Sequence, residues 1–220
     1  IAEYGVPPIE AFQNLGFLSA DVTLVHATHL TAPELDLIAT SGATVCACPT
    51  TERNLGDGFL PATALLERKI PIALGSDGQA QIDLWADARL IEYHERLRAE
   101  RRNVLAAYHG LWSGQAHPER LDTADLLWPM LNTHGARALG LDTGVLNNGK
   151  PADFVTIDLE DLSIAGTDAT TLLADLVFSL NSRAVKDVFV GGQRILEGGQ
   201  HPAYQEILAD FATVMKTLTG

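Results

Sequence analysis

Apolar positions along this chain fall into two textures. Val22–Val25, Ala43–Cys48 and Ile70–Leu74 are short apolar runs without helical spacing, each ending in a polar or glycine-rich turn; the first predicts a short β-branched strand, the second a buried strand and the third a strand buried on both faces. Between them the apolar positions recur at helical spacing. Leu35, Ile38 and Ala39 follow Thr31, with Glu34 at the capping-box position, and Leu65 and Leu66 follow Pro61. Strand, helix, strand, helix, strand at a period of roughly 25 residues predicts an α/β array on a parallel sheet.

The flanking stretches extend this pattern. Pro8, Ile9, Phe12 and Leu15, closed by Gly16, predict a helix before the first strand. Pro49 to Gly58 reads as a ten-residue polar loop, longer than most connections in such arrays. Asp83 is placed to cap a helix whose buried side carries Leu84, Ala88, Ile91 and Leu97. Residues 101–118 read as mixed helix and loop punctuated by Gly110, Gly114 and Pro118, and Thr123–Leu139 as one helix stopped by Gly140. From Gly149 the texture changes to strands, Asp153–Asp158 and Asp187–Val190, with Gly191-Gly192 as a hairpin turn into Gln193–Glu197. A helix from Ala203 to Leu218 follows. The expected organisation is an α/β unit over 1–148, a small β-sandwich module over 149–200 and a terminal helix over 201–220.

Composition narrows the function classes. Hydrophobic content of 46% and charged content of 20% describe a globular protein. The formal net charge of −13, from 15 basic and 28 acidic residues, argues against nucleic acid and against an anionic membrane surface. Cys46 and Cys48 lie two apart on one strand face and are expected as buried thiols in a reducing, cytoplasmic compartment. As half of a metal site they lack a second Cys or Cys/His pair in the sequence. The chain opens on Ile1 rather than Met and reads as a processed or truncated product.

Candidate chemistry gathers at three strand ends: His26 after the first strand, Thr50–Asn54 after the second, Asp77 after the third. In a parallel sheet these open on one face, where loops over a rigid scaffold carry function. Asp77 in Gly75-Ser76-Asp77-Gly78-Gln79 also suits a plain helix cap. An imidazole and a carboxylate in one cleft bind a divalent metal or move protons, and the residues alone leave both open. One His and one carboxylate fall short of the three protein ligands of a catalytic zinc. His29, His94, His109, His117, His134 and His201 compete; His29 reads as a cap of the next helix, and His94 and His201 as surface or capping residues.

His26-Ala27-Thr28-His29, Cys48-Pro49-Thr50-Thr51-Glu52-Arg53-Asn54-Leu55-Gly56-Asp57-Gly58, Gly75-Ser76-Asp77 and Arg89–Tyr93 together resemble the amidohydrolase superfamily, and within it the formimidoylglutamate deiminases of histidine degradation. Gly149-Lys150-Pro151-Ala152-Asp153 is similar to the superfamily's return to its small β domain. The resemblance implies the carboxyl-terminal part of a distorted (β/α)8, TIM-like barrel with one divalent metal, usually zinc (Zn2+). Asp77 would be a metal ligand and proton acceptor, and His26 would orient and polarise the water. Thr51, Glu52, Arg53 and Asn54 would line the substrate. The implied reaction is hydrolysis of N-formimino-L-glutamate to N-formyl-L-glutamate and ammonia. The superfamily's His-x-His pair, its further metal histidine and its shuttling glutamate would lie upstream of Ile1, and Glu3 is not matched to that glutamate. The implied partners are a small-molecule substrate and an amino-terminal barrel half, with a second copy of the chain as a further candidate. Alone, the chain is expected to bind zinc weakly and to lack deiminase activity. The rival expectations are deamination of a nucleobase, nucleoside or other amidine, and a non-catalytic α/β module that completes a barrel in trans.

Overall fold

The computed structural model of the chain describes residues 4–78, 81–108, 110 and 122–219. Glu3, Gln79, His109, Gly114, His117 and Pro118, singled out above, lie outside the described residues.

After helix α1 (Pro8–Asn14), strands β1 (Thr23–Val25), β2 (Thr44–Ala47) and β3 (Ile72–Leu74) form a parallel sheet in the order β1-β2-β3. Thr23, Leu24 and Val25 register with Thr44, Val45 and Cys46, and Val45, Cys46 and Ala47 with Ile72, Ala73 and Leu74. The ladder runs past the strands, through His26 N to Cys46 O at 2.8 Å and Gly75 N to Ala47 O at 2.9 Å, so the carboxyl ends are level. Helices α2 (Ala32–Ser41), α3 (Pro49–Leu55), α4 (Ala62–Glu67) and α5 (Leu84–Ala99) follow the pattern of the connections. The core between sheet and helices is built from Ile38, Val45, Leu65, Leu66, Ile72 and Ile91. The Thr31–Glu34 capping box forms as expected, and Glu34 Oε1 also accepts from Ile9 N at 3.3 Å, which ties α1 to α2.

Four expectations are corrected. The segment read as a polar loop is helix α3: Pro49 supplies a fixed φ at its first turn, and the carboxylate of Asp87 accepts from Thr50 N at 2.9 Å. The helix ends at Gly56 in the left-handed region, φ 75°. On α5, Ala88 and Ile91 are buried, but Leu84 and Leu97 are exposed, Leu97 to 73%; Asp87, Glu92, His94 and Glu95 also face inward. His94 is therefore a buried residue, not a surface one. Thr123–Leu139 is two helices, α6 (Thr123–Leu131) and α7 (Thr133–Ala138), because Asn132 leaves helical geometry and its side chain accepts from Thr133 N at 2.6 Å.

The buried carboxylates of α5 have partners that the sequence pattern does not show. Glu92 accepts from Arg96 Nε at 2.6 Å and from Val104 N and Leu105 N at 3.0 Å each, and Glu95 from Ala62 N at 3.1 Å. With Asp87 on Thr50 N, three carboxylates of one helix hold the amino ends of three following or preceding turns. At the opposite end of the sheet from the strand tips, α7 closes over the strand starts: Thr23 Oγ1 donates to Ala138 O at 3.0 Å, and His134 Nδ1 lies 2.9 Å from Ile72 O.

Strand β4 (Phe154–Ile157), helix α8 (Leu172–Phe178) and strands β5 (Val185–Val190) and β6 (Gln193–Leu196) follow. The three strands form one antiparallel sheet, β4-β5-β6, with the predicted hairpin at Gly191-Gly192, both at positive φ. Among the described residues this is a single sheet rather than the two facing sheets of a sandwich. Helix α9 (Tyr204–Thr219) completes the chain.

Candidate metal centre at the strand ends

Parallel pairing brings the ends of β1, β2 and β3 to one mouth, and the backbone there departs from regular geometry. His26, Ala27 and Asp77 have φ of 68°, 49° and 46°, values uncommon outside glycine. Ala27 N donates to Val25 O at 3.0 Å across His26, a γ-turn of the strained, positive-φ kind. Non-glycine residues in this region each cost on the order of 1–3 kcal/mol, and such strain concentrates at functional sites.

The turn aims the imidazole of His26 between two carboxylates. Nδ1 lies 3.4 Å from Glu52 Oε1, and Nε2 lies 3.7 Å from Asp77 Oδ2. The Glu52 side chain is 0% exposed, whereas those of His26 and Asp77 are 38% and 47% exposed, so the pair faces solvent and its support does not. Glu52 Oε1 also accepts from Cys48 N at 2.9 Å. Burial raises the Glu52 carboxyl above the usual range, against the lowering effect of the Cys48 N–H and of His26. Cys46 and Cys48 are free thiols. Their mutual hydrogen bond lowers the Cys46 thiol and raises that of Cys48.

Thr51 is also turned inward. Its Oγ1 donates to Ser76 O at 3.0 Å and accepts from Gly78 N at 2.8 Å, pinning the turn that presents Asp77. Arg53 and Asn54 are exposed; Arg53 Nη2 donates to Gln81 Oε1 at 3.0 Å and borders a pocket of about 240 Å³ shared with Arg89, Tyr93 and Phe178. Of the residues read as candidates, His26 and Asp77 therefore face each other, Thr51 and Glu52 stand behind them, and Arg53 and Asn54 lie on the surface.

Sequence reasoning set Cys48 aside for want of a second cysteine pair. Here its Sγ, a ring nitrogen of His26 and a carboxylate oxygen of Asp77 all lie within 4.8 Å of one another. Nitrogen, sulfur and oxygen donors converging from three strands suit a borderline divalent ion such as zinc. Only the sheet register assembles them, so no spacing motif announces the set.

The sequence matches the amidohydrolase family over residues 6–195. It is 33% identical over 195 residues to the formimidoylglutamate deiminase of Pseudomonas aeruginosa, covering 89% of this chain and 41% of that protein, in its carboxyl-terminal part. To the 5-methylthioadenosine/S-adenosylhomocysteine deaminase of Pyrococcus abyssi it is 27% identical over 88% of this chain and 42% of that one. Among solved structures, an amidohydrolase from Brucella melitensis superposes with a TM-score of 0.83 at 32% identity, over 100% of this chain and 46% of that one. An adenosine deaminase from Xanthomonas campestris with bound zinc gives 0.81 at 26% identity, over 98% and 47%. The chain thus spans less than half the length of these relatives.

Proposed function

The chain belongs to the amidohydrolase family, and from that premise we propose that it supplies the carboxyl-terminal part of a metal-dependent deaminase barrel, with residues 1–148 in the barrel and the β4–β6 sheet beside it. The substrate we propose is N-formimino-L-glutamate. The 33% identity to the Pseudomonas aeruginosa deiminase supports that choice over the nucleoside deaminases at 27% and below 30%. The observation that carries the reading is the approach of His26 Nε2 to Asp77 Oδ2, 3.7 Å, at the open mouth of a parallel sheet.

Asp77 and His26 are the residues of this chain that would meet the ion and its water. When bound, a divalent ion supplies Lewis acidity, bringing the pKa of a water from about 15.7 toward ~7. Asp77, half exposed at the mouth, would take the proton that the water loses. His26 donates or accepts through Nε2 because its Nδ1 is engaged by Glu52, which fixes the ring's orientation. Water adds to the formimino carbon, the bond from that carbon to the terminal nitrogen breaks, and ammonia leaves with the transferred protons. Arg53, exposed beside the mouth, offers a guanidinium to a substrate carboxylate.

Ammonia release from N-formimino-L-glutamate and from 5′-methylthioadenosine, by the protein that contains this chain and with zinc supplied, tests the reading. Release from the former is expected, falling ~10²–10⁴-fold in Asp77→Asn, a range typical of a positioned proton-transfer group. Asparagine tolerates the left-handed backbone at this position, so the variant should fold. Release from the nucleoside alone would move the substrate, and release from neither would overturn the reading. The 220-residue chain alone is expected to release none.

A further inference from the structure

We propose that helix α9 (Tyr204–Thr219) pairs antiparallel with the same helix of a second copy of this chain, and that this pairing makes the protein a dimer. The proposal uses none of the residues at the strand ends. Tyr204, Ile207, Phe211, Val214 and Leu218 recur at alternating spacings of three and four, the a and d positions of a heptad, and each is between 47% and 74% exposed. Every residue from Tyr204 to Leu218 is exposed, so no face of this helix is buried against the described chain.

Burial of the stripe is what such a helix needs. Its 16 residues are near the length at which isolated helices are marginal in water, and Ile207, Thr213, Val214 and Thr217 are weak helix formers. Thr213 Oγ1 and Thr217 Oγ1 turn back to Ala209 O and Thr213 O, at 2.9 and 3.1 Å, a bonding pattern that does not strengthen a helix. A contiguous apolar stripe, unlike scattered apolar residues, marks an interaction surface. At roughly 150–200 Å² for a fully open large apolar side chain, the stripe with Leu208 and Met215 beside it offers on the order of 700 Å² per copy. Two copies together then fall within the roughly 1,200–2,000 Å² that a stable, specific interface buries.

Charge and symmetry favour a second copy as the occupant. The helix carries two acidic residues and one basic, a net −1 of the chain's −13, so it is where two strongly acidic molecules approach with least repulsion. Its stripe is also self-complementary, as a two-fold interface requires. Antiparallel pairing sets Ile207 against Leu218 of the second copy and Phe211 against its Val214, a large side chain on a small one. Leu208 then meets Met215 along one edge and Asp210 meets Thr217 along the other, while Glu206 and Lys216 point away, so no like charges oppose. The amino end of each helix lies beside the carboxyl end of the other, where the dipoles attract. Parallel pairing would instead set Asp210 against Met215 and Phe211 on its own copy.

Sedimentation equilibrium of the protein that contains this chain, at micromolar concentration, should give twice the mass of one polypeptide. Phe211→Lys places a charge at the centre of the seam and should weaken association on the order of 30-fold or more, the scale of an interface hot spot. Because the variant could disturb folding, hydrogen exchange of the wild-type protein provides a check free of substitutions: amides of residues 204–219 should become slower to exchange as protein concentration rises. A single-copy mass throughout the micromolar range, or a dimer that Phe211→Lys leaves intact, would overturn the pairing. So would protection of α9 that is independent of concentration, since the helix would then be covered by its own polypeptide. None of these results bears on ammonia release, so this proposal and the deaminase reading fail separately.

Discussion

Through His94, acidification should remove stability from this chain by an amount the structure sets. The imidazole is 6% exposed, stacked on Phe59 with ring centroids 4.5 Å apart. Burial first, then the positive charges of Arg53 and Arg98, lower its pKa from 6.5 to about 4. The folded chain keeps this ring neutral where the unfolded chain would protonate it. Between the two values the unfolded state binds more protons, so stability is full above about 6.5 and is lost as pH falls toward about 4. At about 1.4 kcal/mol per pH unit the gap caps the loss near 3 kcal/mol, and solvent around the two guanidinium groups reduces it to about 2. Glu52, Asp87 and Glu95, whose carboxyls burial raises, act in the opposite sense and gain stability on acidification. The wild-type curve alone therefore mixes both signs, and the comparison with His94→Gln isolates one. Urea unfolding followed by tryptophan fluorescence should show the gap between the two proteins shifting by about 2 kcal/mol, in favour of the variant, between neutral pH and about pH 4.5. Parallel curves would show that the ring titrates in the folded chain as freely as in the unfolded one.

Glu92→Gln keeps one acceptor oxygen where three donors now converge, and should cost about 2–3 kcal/mol in urea unfolding; a midpoint matching wild type would mean that water replaces the carboxylate. Glu52→Gln removes a buried charge whose raised pKa marks it as costly to the fold at neutral pH. Its carboxyl contribution favours folding on the acid side and is lost as pH rises through the folded value, so the glutamine variant should be no less stable at pH 7 and less pH-dependent. Calorimetry showing a lower Tm would refute that sign. Thr51→Val is close in shape but loses the bonds to Ser76 O and Gly78 N, so it should cost about 1–2 kcal/mol and loosen the Asp77 turn, read as faster amide exchange at residues 76–78. Unchanged exchange there would assign the turn's order to the backbone alone.

Apolar runs without helical period located all three parallel strands; β2 and β3 are largely buried and have little choice of composition, whereas the edge strand β1 leaves Val25 53% exposed. Thr31 with Glu34, Asp83 and Gly191-Gly192 were legible for a similar reason: caps and tight turns are local chemistry. What failed was burial that depends on a distant partner. Thr50 to Asn54 look polar enough for a loop, but Asp87, 37 positions away, caps the helix they form. On α5 the charged positions turned inward and Leu97 outward, since Val104 N, Leu105 N and Ala62 N needed acceptors that no apolar side chain offers. Cys48 was passed over because a spacing rule looks along one strand, whereas its neighbours at the mouth come from two others.

Each residue of the stretch Thr50–Arg53 now has a use, Thr50 through its backbone N–H and the other three through their side chains, and the uses form one chain of support. Asp87 of α5 sets the start of α3 through Thr50 N. With α3 so placed, Thr51 holds the turn after β3, and Glu52 holds the imidazole after β1 and the backbone of Cys48 after β2. Arg53 reaches Gln81 beyond the same turn. The left-handed conformations of His26 and Asp77 are unfavourable in isolation, and both lie at residues whose neighbours these side chains grip. A short helix at the middle strand thus converts a rigid scaffold into two aimed side chains 3.7 Å apart. Site residues placed on such a helix can be specific to one chemistry without touching the substrate. Their identity then records how the mouth is held open, while Arg53, tied to Gln81, and Asn54 stand on the surface beside it.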